Sequence, residues 1–460
     1  MAKRTSLHGL WSSRMAFILA VSGSAVGLGN IWKFPYVAGA NGGGAFVLFY
    51  LLCVALIGLP IMMAEILIGR RGRRNPVATM RIVGEEEGSR PSWALVGIMG
   101  VIAGIIILSF YSVIAGWSLY YIVHAALNHF DGADADLVNG LFGGMLGNWK
   151  VLALWHTAFM LITVWVVARG VERGLERAVR FLMPSLAILM VALLGYAIIS
   201  GDFRAGVAFL LEPDFSKLTG EAMLAALGQA FFSLSIGMGA IMAYGAYLPE
   251  GTSIANTSIS VVIADTAMAL LAGLAIFPIV FAHAMDPAAG PGLIFQTLPL
   301  AFGNMVGGHL FGTLFFVLLT FAAWTSSIGL IEPAVAWSVE THGRSRVAAA
   351  TVIGVIIWAL GFLTILSFNE FEHIKLFGRT LFENLDHLSS NILLPLGGLF
   401  ITVFAGWVMC KNSTAEELDM GTGTAYRAWR FLARWVAPAA VLLVFLHATG
   451  LLHFFGITTS

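Results

Sequence analysis

Three stretches of this chain carry oxygen and backbone groups where a hydrocarbon environment would punish them. The first is "GSAVGLGNIWKFPY" (23–36), where three glycines, an asparagine, a lysine and a proline interrupt an apolar run. The second, "GQAFFSLSIGMGA" (228–240), again sets glycines and hydroxyls at mid-segment. The third is "TSS" (325–327), three hydroxyls in an otherwise apolar run. Asp265 adds a lone carboxylate to a fourth. A helix that unwinds inside a bilayer frees carbonyls and N–H groups, at a cost repaid only where they line a cavity or hold an ion. Carbonyls, hydroxyls and a carboxylate are the ligands of a hard cation, and a carboxylate within a span needs a partner or a task. Each feature has a plainer reading: glycines for close helix packing, hydroxyls bonded back to their own helix, and Asp265 as a helix-pairing acid. Two interrupted segments and three adjacent hydroxyls favour ligation.

The elements that must position these groups are membrane spans. Of 460 residues, 58% are hydrophobic and 11% charged, which sets the chain apart from soluble proteins of this size. Eleven apolar segments run near 13–38, 42–70, 93–125, 149–168, 178–200, 220–247, 254–284, 304–340, 346–367, 384–410 and 430–453, each at least as long as the roughly 20 residues a span requires. Zero net charge excludes a general pull toward nucleic acid, and two cysteines suit packing rather than a disulfide framework. "MAKRTSLHGLWSSR" leads into the first span without a small-residue cleavage site, so that helix is expected to act as the insertion signal.

Basic residues alternate between connections. They concentrate in the N-terminus, in "GRRGRRNP", at Arg169, Arg173, Arg177 and Arg180, at Arg344 and Arg346, and at Lys411 to Arg434; 126–148 and 285–303 contain none. The bias predicts a cytoplasmic N-terminus and, after eleven spans, an external C-terminus. The interrupted first and sixth segments lie five apart. Two five-helix halves, 13–200 and 220–410, would then run in opposite senses, with 430–453 as an extra helix and 1–453 as one transporter domain. Paired broken helices in inverted halves point to a transport site at the midplane. The expected fold is an all-α polytopic membrane protein, a 5+5 inverted-repeat transporter with unwound first and sixth helices.

"GSAVGLGNIWKFPYVAGANGGGAFVLFY", "FLLEPDFSKL", "GQAFFSLSIGMGA" and "AAWTSSIGLIEP" resemble the neurotransmitter:sodium symporter family from about Trp11 to the end of the tenth segment. The resemblance implies two Na+ sites. One would use the carbonyl of Ala25 with the side chains of Asn30, Ser233 and Asp265; the other, the carbonyls of Gly23, Val26 and Ala322 with the hydroxyls of Thr325 and Ser326. Family members that carry amines place an aspartate where this chain has Gly27, so the substrate is expected to bring its own carboxylate. That carboxylate would meet the first Na+, the backbone of the broken helix around Ser24, Ala25, Leu28 and Gly29, and the hydroxyl of Tyr111. The side-chain pocket implied is Ile107, Phe232, Ser235, Met238, Ser327 and Leu330, with Ser233 and Ser326 shared with the ion sites. Met238, flexible and between two glycines, suggests a broad range of hydrophobic or aromatic L-amino acids.

Chloride-dependent members are neutral at position 265 and bind the anion among groups matching Tyr50, Gln229 and Ser233. Asp265 would supply that negative charge itself, and a proton on it would replace chloride on the return step. The resemblance also implies gates. Lys33 and Asp386 would close one side above Phe232, while Trp11, Tyr247 and Glu340 would close the other, with Arg4 seven residues before Trp11 as the basic partner in an unsettled register. Interfacial snorkelling is the alternative for both pairs.

No His-Glu-x-x-His, Gly-x-Ser-x-Gly or phosphate-binding loop argues for an enzyme. "NEFEHIK" (369–375) lacks ligand spacing. The reading is a sodium-coupled, chloride-independent importer of L-amino acids. Transport of another small zwitterion, or a sensor or channel using the same sites, remains the alternative. The partners are a small-molecule substrate and the lipid bilayer, and the sequence leaves oligomeric state open. Loop 126–148 has no cysteine and no Asn-x-Ser/Thr, which favours a prokaryotic inner membrane.

Overall fold

A computed structural model describes residues 4–288 and 292–448. Eight helices are long and apolar enough to cross a bilayer, and a bent pair supplies a ninth crossing. The pair is α1 (Arg14–Ala25) and α2 (Gly29–Ala40), inclined by 50°. Then follow α3 (Gly44–Gly72), α4 (Pro91–Ala126), α5 (Trp149–Ala168) and α6 (Val171–Ser200). The sixth crossing is broken into α7 (Gly220–Ser233) and α8 (Ala240–Ala246). Next come α9 (Ile254–Ala282), α10 (Gly308–His342), α11 (Arg346–Ser367) and α12 (Leu381–Val408). Helical residues 424–448, α13, bring the described crossings to eleven. The expected extension of this helix to 453 lies outside the described residues. Among the described residues no strand forms beyond a single bridge between Leu376 and Arg379.

Boundaries shift where polar residues continue a helix: α6 begins at Val171 rather than near 178, because Gly170 (φ +89°) turns the chain directly into it. Two of the connections carry short helices, Ala135–Leu146 and Leu293–Gly303. Cys53 is buried and Cys410 exposed, both free; Cys410 caps a short polar helix rather than packing in a span.

α4 and α10 pack extensively against each other, and both reach the midplane site. Close approach is possible because Gly104 has no side chain: a Cβ there would meet the Leu330 carbonyl oxygen at 2.8 Å. Each break has a local cause. α1 ends where Val26 turns extended (φ −71°, ψ 101°). Between α7 and α8, Ser235, Gly237 and Gly239 all take positive φ (+52°, +88°, +76°), which no helix continues through.

Candidate functional site

Breaking two helices leaves backbone groups that must find partners or cost several kcal/mol each, about 2–7 by transfer estimates. Several groups at these breaks are met by side chains. Asn30 Oδ1 accepts from Gly27 N (3.1 Å), and Tyr111 Oη accepts from Leu28 N (3.1 Å). Gln229 Nε2 donates to Gly29 O (2.8 Å), and Ser235 Oγ donates to Ser24 O (2.9 Å). Ser326 Oγ lies 3.3 Å from both Gly23 O and Val26 O. At the second break Glu65 Oε1 accepts from Gly237 N (2.6 Å).

Two oxygen-rich clusters result. In one, Asn30 Nδ2 donates to Asp265 Oδ1 (2.8 Å), with Ser233 Oγ and Asp265 O each 3.1 Å away. Ser233 Oγ donates to Asp265 Oδ2 (2.5 Å), and Tyr50 Oη stands 3.1 Å from Ser233 Oγ. Asn30, Ser233 and Asp265 are wholly buried. The amide oxygen of Asn30 faces Gly27 here, so presenting it to a cation beside Asp265 requires the amide to turn over. In the other cluster the carbonyls of Gly23, Val26 and Ala322 converge with Ser326 Oγ and Thr325 Oγ1, the latter donating to Ala322 O (2.9 Å). The three adjacent hydroxyls divide their work: Ser326 crosses to α1, whereas Thr325 and Ser327 bond back to their own helix.

Between the clusters lies a cavity of about 20 Å³ lined by Ala25, Gly27, Gly29, Ile107 and Tyr111, with Phe232, Ser235, Met238, Ser326 and Leu330. Of the expected substrate residues, Ser24, Leu28, Ser233 and Ser327 do not line it. Ser327 is turned into its own helix, and Leu28 instead lines a second cavity of about 480 Å³ that opens away from the N-terminal face. Phe232 and Tyr111 line both cavities. A Cβ on Gly27 would come within 2.3 Å of Ser326 Oγ and 2.7 Å of Tyr111 Oη, so a residue with a side chain there would press on both.

The residues expected to act as gates behave unevenly. Lys33 and Asp386 both line the larger cavity but form no ion pair; Lys33 Nζ sits 4.1 Å from the Phe232 ring centroid instead. On the N-terminal face Trp11 Nε1 donates to Tyr244 O (3.1 Å), Trp11 N to Tyr247 O (3.0 Å), and Tyr247 Oη to Glu332 Oε1 (2.8 Å). Arg346 pairs with both oxygens of Glu332. The Arg4 register is corrected: Arg4 pairs with Glu86 (2.5 Å), and Glu340 is held by His8 Nε2 (3.0 Å) and by Asn75.

Sequence reasoning missed His8, Glu65, Glu332 and Arg346. A signal existed for the acids: Glu65 in "LPIMMAEILIGR" and Glu332 in "GLIEPAV" are carboxylates within spans, as Asp265 is.

Comparison with known proteins matches this architecture. The profile described as "Sodium:neurotransmitter symporter family" covers residues 8–133 and 142–455. The uncharacterized sodium-dependent transporter YhdH of Bacillus subtilis is 38% identical over 447 residues, 96% of this chain and 98% of that one. An uncharacterized sodium-dependent transporter of Haemophilus influenzae is 32% identical over 443 residues, covering 95% and 97%. The crystal structure of MhsT in complex with L-phenylalanine superposes with a TM-score of 0.89 at 42% identity, covering 96% of this chain and 99% of that one. These are transporters, not enzymes. With its two broken helices and eleven described crossings, this chain is a sodium-dependent symporter belonging to the sodium:neurotransmitter symporter family.

Proposed function

We propose that the protein imports hydrophobic or aromatic L-amino acids with Na+ at two sites and without chloride. The observation that carries this reading is the Asp265 carboxylate, buried against Ser233 and Asn30 beside Tyr50. Two Na+ and a zwitterion bring a charge of +2 to the site, and a fixed carboxylate offsets part of it. Gly27 supports a substrate with its own carboxylate, since no acidic side chain stands there to receive a lone amine. The first Na+ would lie among Ala25 O, Asn30, Ser233 and Asp265. The second would lie among Gly23 O, Val26 O, Ala322 O, Thr325 and Ser326. Substrate carboxylate would take Leu28 N and Tyr111 Oη, which now satisfy each other. The side chain would displace Phe232 and Met238, because the present cavity holds about one water. MhsT, the 42% identical neighbour, has been solved with L-phenylalanine, which supports the substrate class.

The driving force suffices. One charge crossing ~100 mV gains ~2.3 kcal/mol, and a tenfold Na+ gradient adds ~1.4 kcal/mol. Two ions supply roughly 7 kcal/mol, near a 10⁵-fold substrate gradient. The cavity opening away from the N-terminal face, with Trp11, Tyr247 and Glu340 packed on that face, supports an outward-open state of an alternating-access cycle. The halves would be 13–200 and 220–410 within one domain, 1–453, in an inner membrane with the N-terminus cytoplasmic and the C-terminus external.

Uptake into proteoliposomes tests the reading. A panel of labelled amino acids is offered with an inward Na+ gradient, in chloride and in gluconate. Equal accumulation of an apolar L-amino acid in both anions, and none in choline, is expected. Dependence on chloride, or uptake of the same amino acid in choline, overturns it.

A further inference from the structure

A cavity of about 760 Å³ lies away from the transport site. It lies on the N-terminal face where α5 turns into α6, lined by Ser12, Arg169, Glu172, Arg173, Glu176, Arg177 and Arg180. Four arginines against two glutamates leave it net positive. One glutamate is already committed: Glu176, 3% exposed, accepts from Ser12 N (3.0 Å) and Ser12 Oγ (2.5 Å) and pairs with Arg180 (2.7 Å). Arg180 Nη2 also donates to Ser12 Oγ (2.6 Å). Arg169 rests its guanidinium on the Trp165 ring, 3.7 Å from its centroid. Arg173 and Arg177, both exposed, form no ion pair among the described residues. Two free guanidiniums therefore converge with two half-committed ones on one cleft.

What flanks the cleft decides what it takes. Within about two turns deeper into the spans stand exposed apolar side chains: Trp165 (54%) and Leu161 (64%) on α5, Phe181 (65%) and Ile188 (69%) on α6. Guanidinium forks match phosphate oxygens bidentately, and the apolar flank is where acyl chains run. We propose that this cleft is a binding site for the phosphate headgroup of an anionic phospholipid, its tails lying along α5 and α6. A water-borne phosphate would use the arginines and leave the apolar flank unused, so a lipid is the occupant that fits both. The headgroup would sit beside Ser12, one residue before the Ser13 cap of α1. A lipid held there braces the start of the helix whose break forms the transport site.

Detergent-solubilised full-length protein is titrated with short-chain phosphatidylglycerol, with short-chain phosphatidylcholine, and with sodium phosphate at matched ionic strength. Tm and, by native mass spectrometry, retained lipid are read. Phosphatidylglycerol alone should give a saturable rise in Tm and a retained adduct. Each arginine that reaches the bound headgroup should contribute about 5-fold in affinity, so Arg173→Gln with Arg177→Gln should weaken binding about 30-fold. Each single variant should weaken it about 5-fold, which keeps the test decisive if the pair destabilises the fold. Arg90→Gln with Arg427→Gln, exposed arginines of other connections, should change nothing. An equal effect of phosphatidylcholine, full reproduction by inorganic phosphate, or equal loss in the control variant overturns the proposal, as does undiminished binding in Arg173→Gln and Arg177→Gln.

Discussion

His8 Nε2 lies 3.0 Å from Glu340 Oε1, joining the N-terminal segment to the far end of α10 across 332 residues of chain. The two side chains are 5% and 4% exposed, and Glu340 also accepts from the backbone and side chain of Asn75. On the N-terminal face one histidine thus meets a glutamate that Asn75 also holds, with the His8 ring 5.7 Å from that of Tyr247.

His8→Ala should loosen that closure. A hydrogen bond to a charged group is worth about 1.5–3 kcal/mol, so the population open toward the N-terminal side should rise roughly 10-fold or more. A cysteine placed at Ala246 in a background lacking Cys53 and Cys410 should label correspondingly faster, and uptake should fall. His8→Arg, which keeps a donor, should restore slow labelling. Unchanged labelling in His8→Ala would show that Trp11 and Tyr247 suffice to close this face.

Tyr111→Phe removes the hydroxyl that now meets Leu28 N (3.1 Å). If that hydroxyl serves the substrate carboxylate, binding should weaken by about 1.5–3 kcal/mol, or roughly 10- to 100-fold. Calorimetric titration with the preferred amino acid in saturating Na+ measures it, and Tm without substrate should move little. Wild-type affinity would remove Tyr111 from the substrate site.

If the Asp265 carboxylate stands in for chloride, Asp265→Ser should make uptake depend on the anion supplied. The variant leaves an anion-sized polar site among Tyr50, Ser233 and the new hydroxyl, with Gln229 one turn from Ser233 on α7. Uptake should be poor in gluconate and recover at least partly in chloride, and Na+ affinity should fall with the lost charge. Identical activity of folded Asp265→Ser protein in both anions would refute charge substitution while leaving the symporter identity intact.

Glu332 is wholly buried and bound by Arg346 and Tyr247. Glu332→Ala leaves the guanidinium without its counter-ion in the protein interior, which costs about 3–5 kcal/mol. A large drop in Tm in detergent is expected. Glu332→Ala with Arg346→Met should recover much of it, because removing both charges removes the desolvation cost together with the attraction. No recovery would place the role of Arg346 in its bond to Val167 O (2.8 Å) instead.

Some of this molecule was legible from local chemistry. Apolar run lengths count the crossings, since every span must satisfy its own backbone in hydrocarbon. Glycines at 23–29 and 237–239 mark the two breaks, because positive φ and close approach such as that of Gly237 to Leu394 O, 2.4 Å from a would-be Cβ, admit little else. Buried acids announce themselves within a span, and that rule singled out Asp265; applied to Glu65 and Glu332, it would have found them too.

Partner choice followed no such local rule. Arg4 and His8 are both basic and both precede Trp11, but only the fold brings His8 to Glu340 and sends Arg4 to Glu86. Lys33 and Asp386 have complementary charges, yet a cavity of about 480 Å³ runs between their helices and Lys33 settles on the Phe232 ring. The three hydroxyls at 325–327 are alike in sequence, and the helix's 100° turn per residue aims only Ser326 at the α1 carbonyls. By itself the sequence determined which groups are too polar to face lipid and where helices must break, because those costs are paid residue by residue. Which polar group meets which was decided only in the tertiary structure, because a bond of about 3 Å depends on the rotation and approach of helices hundreds of residues apart.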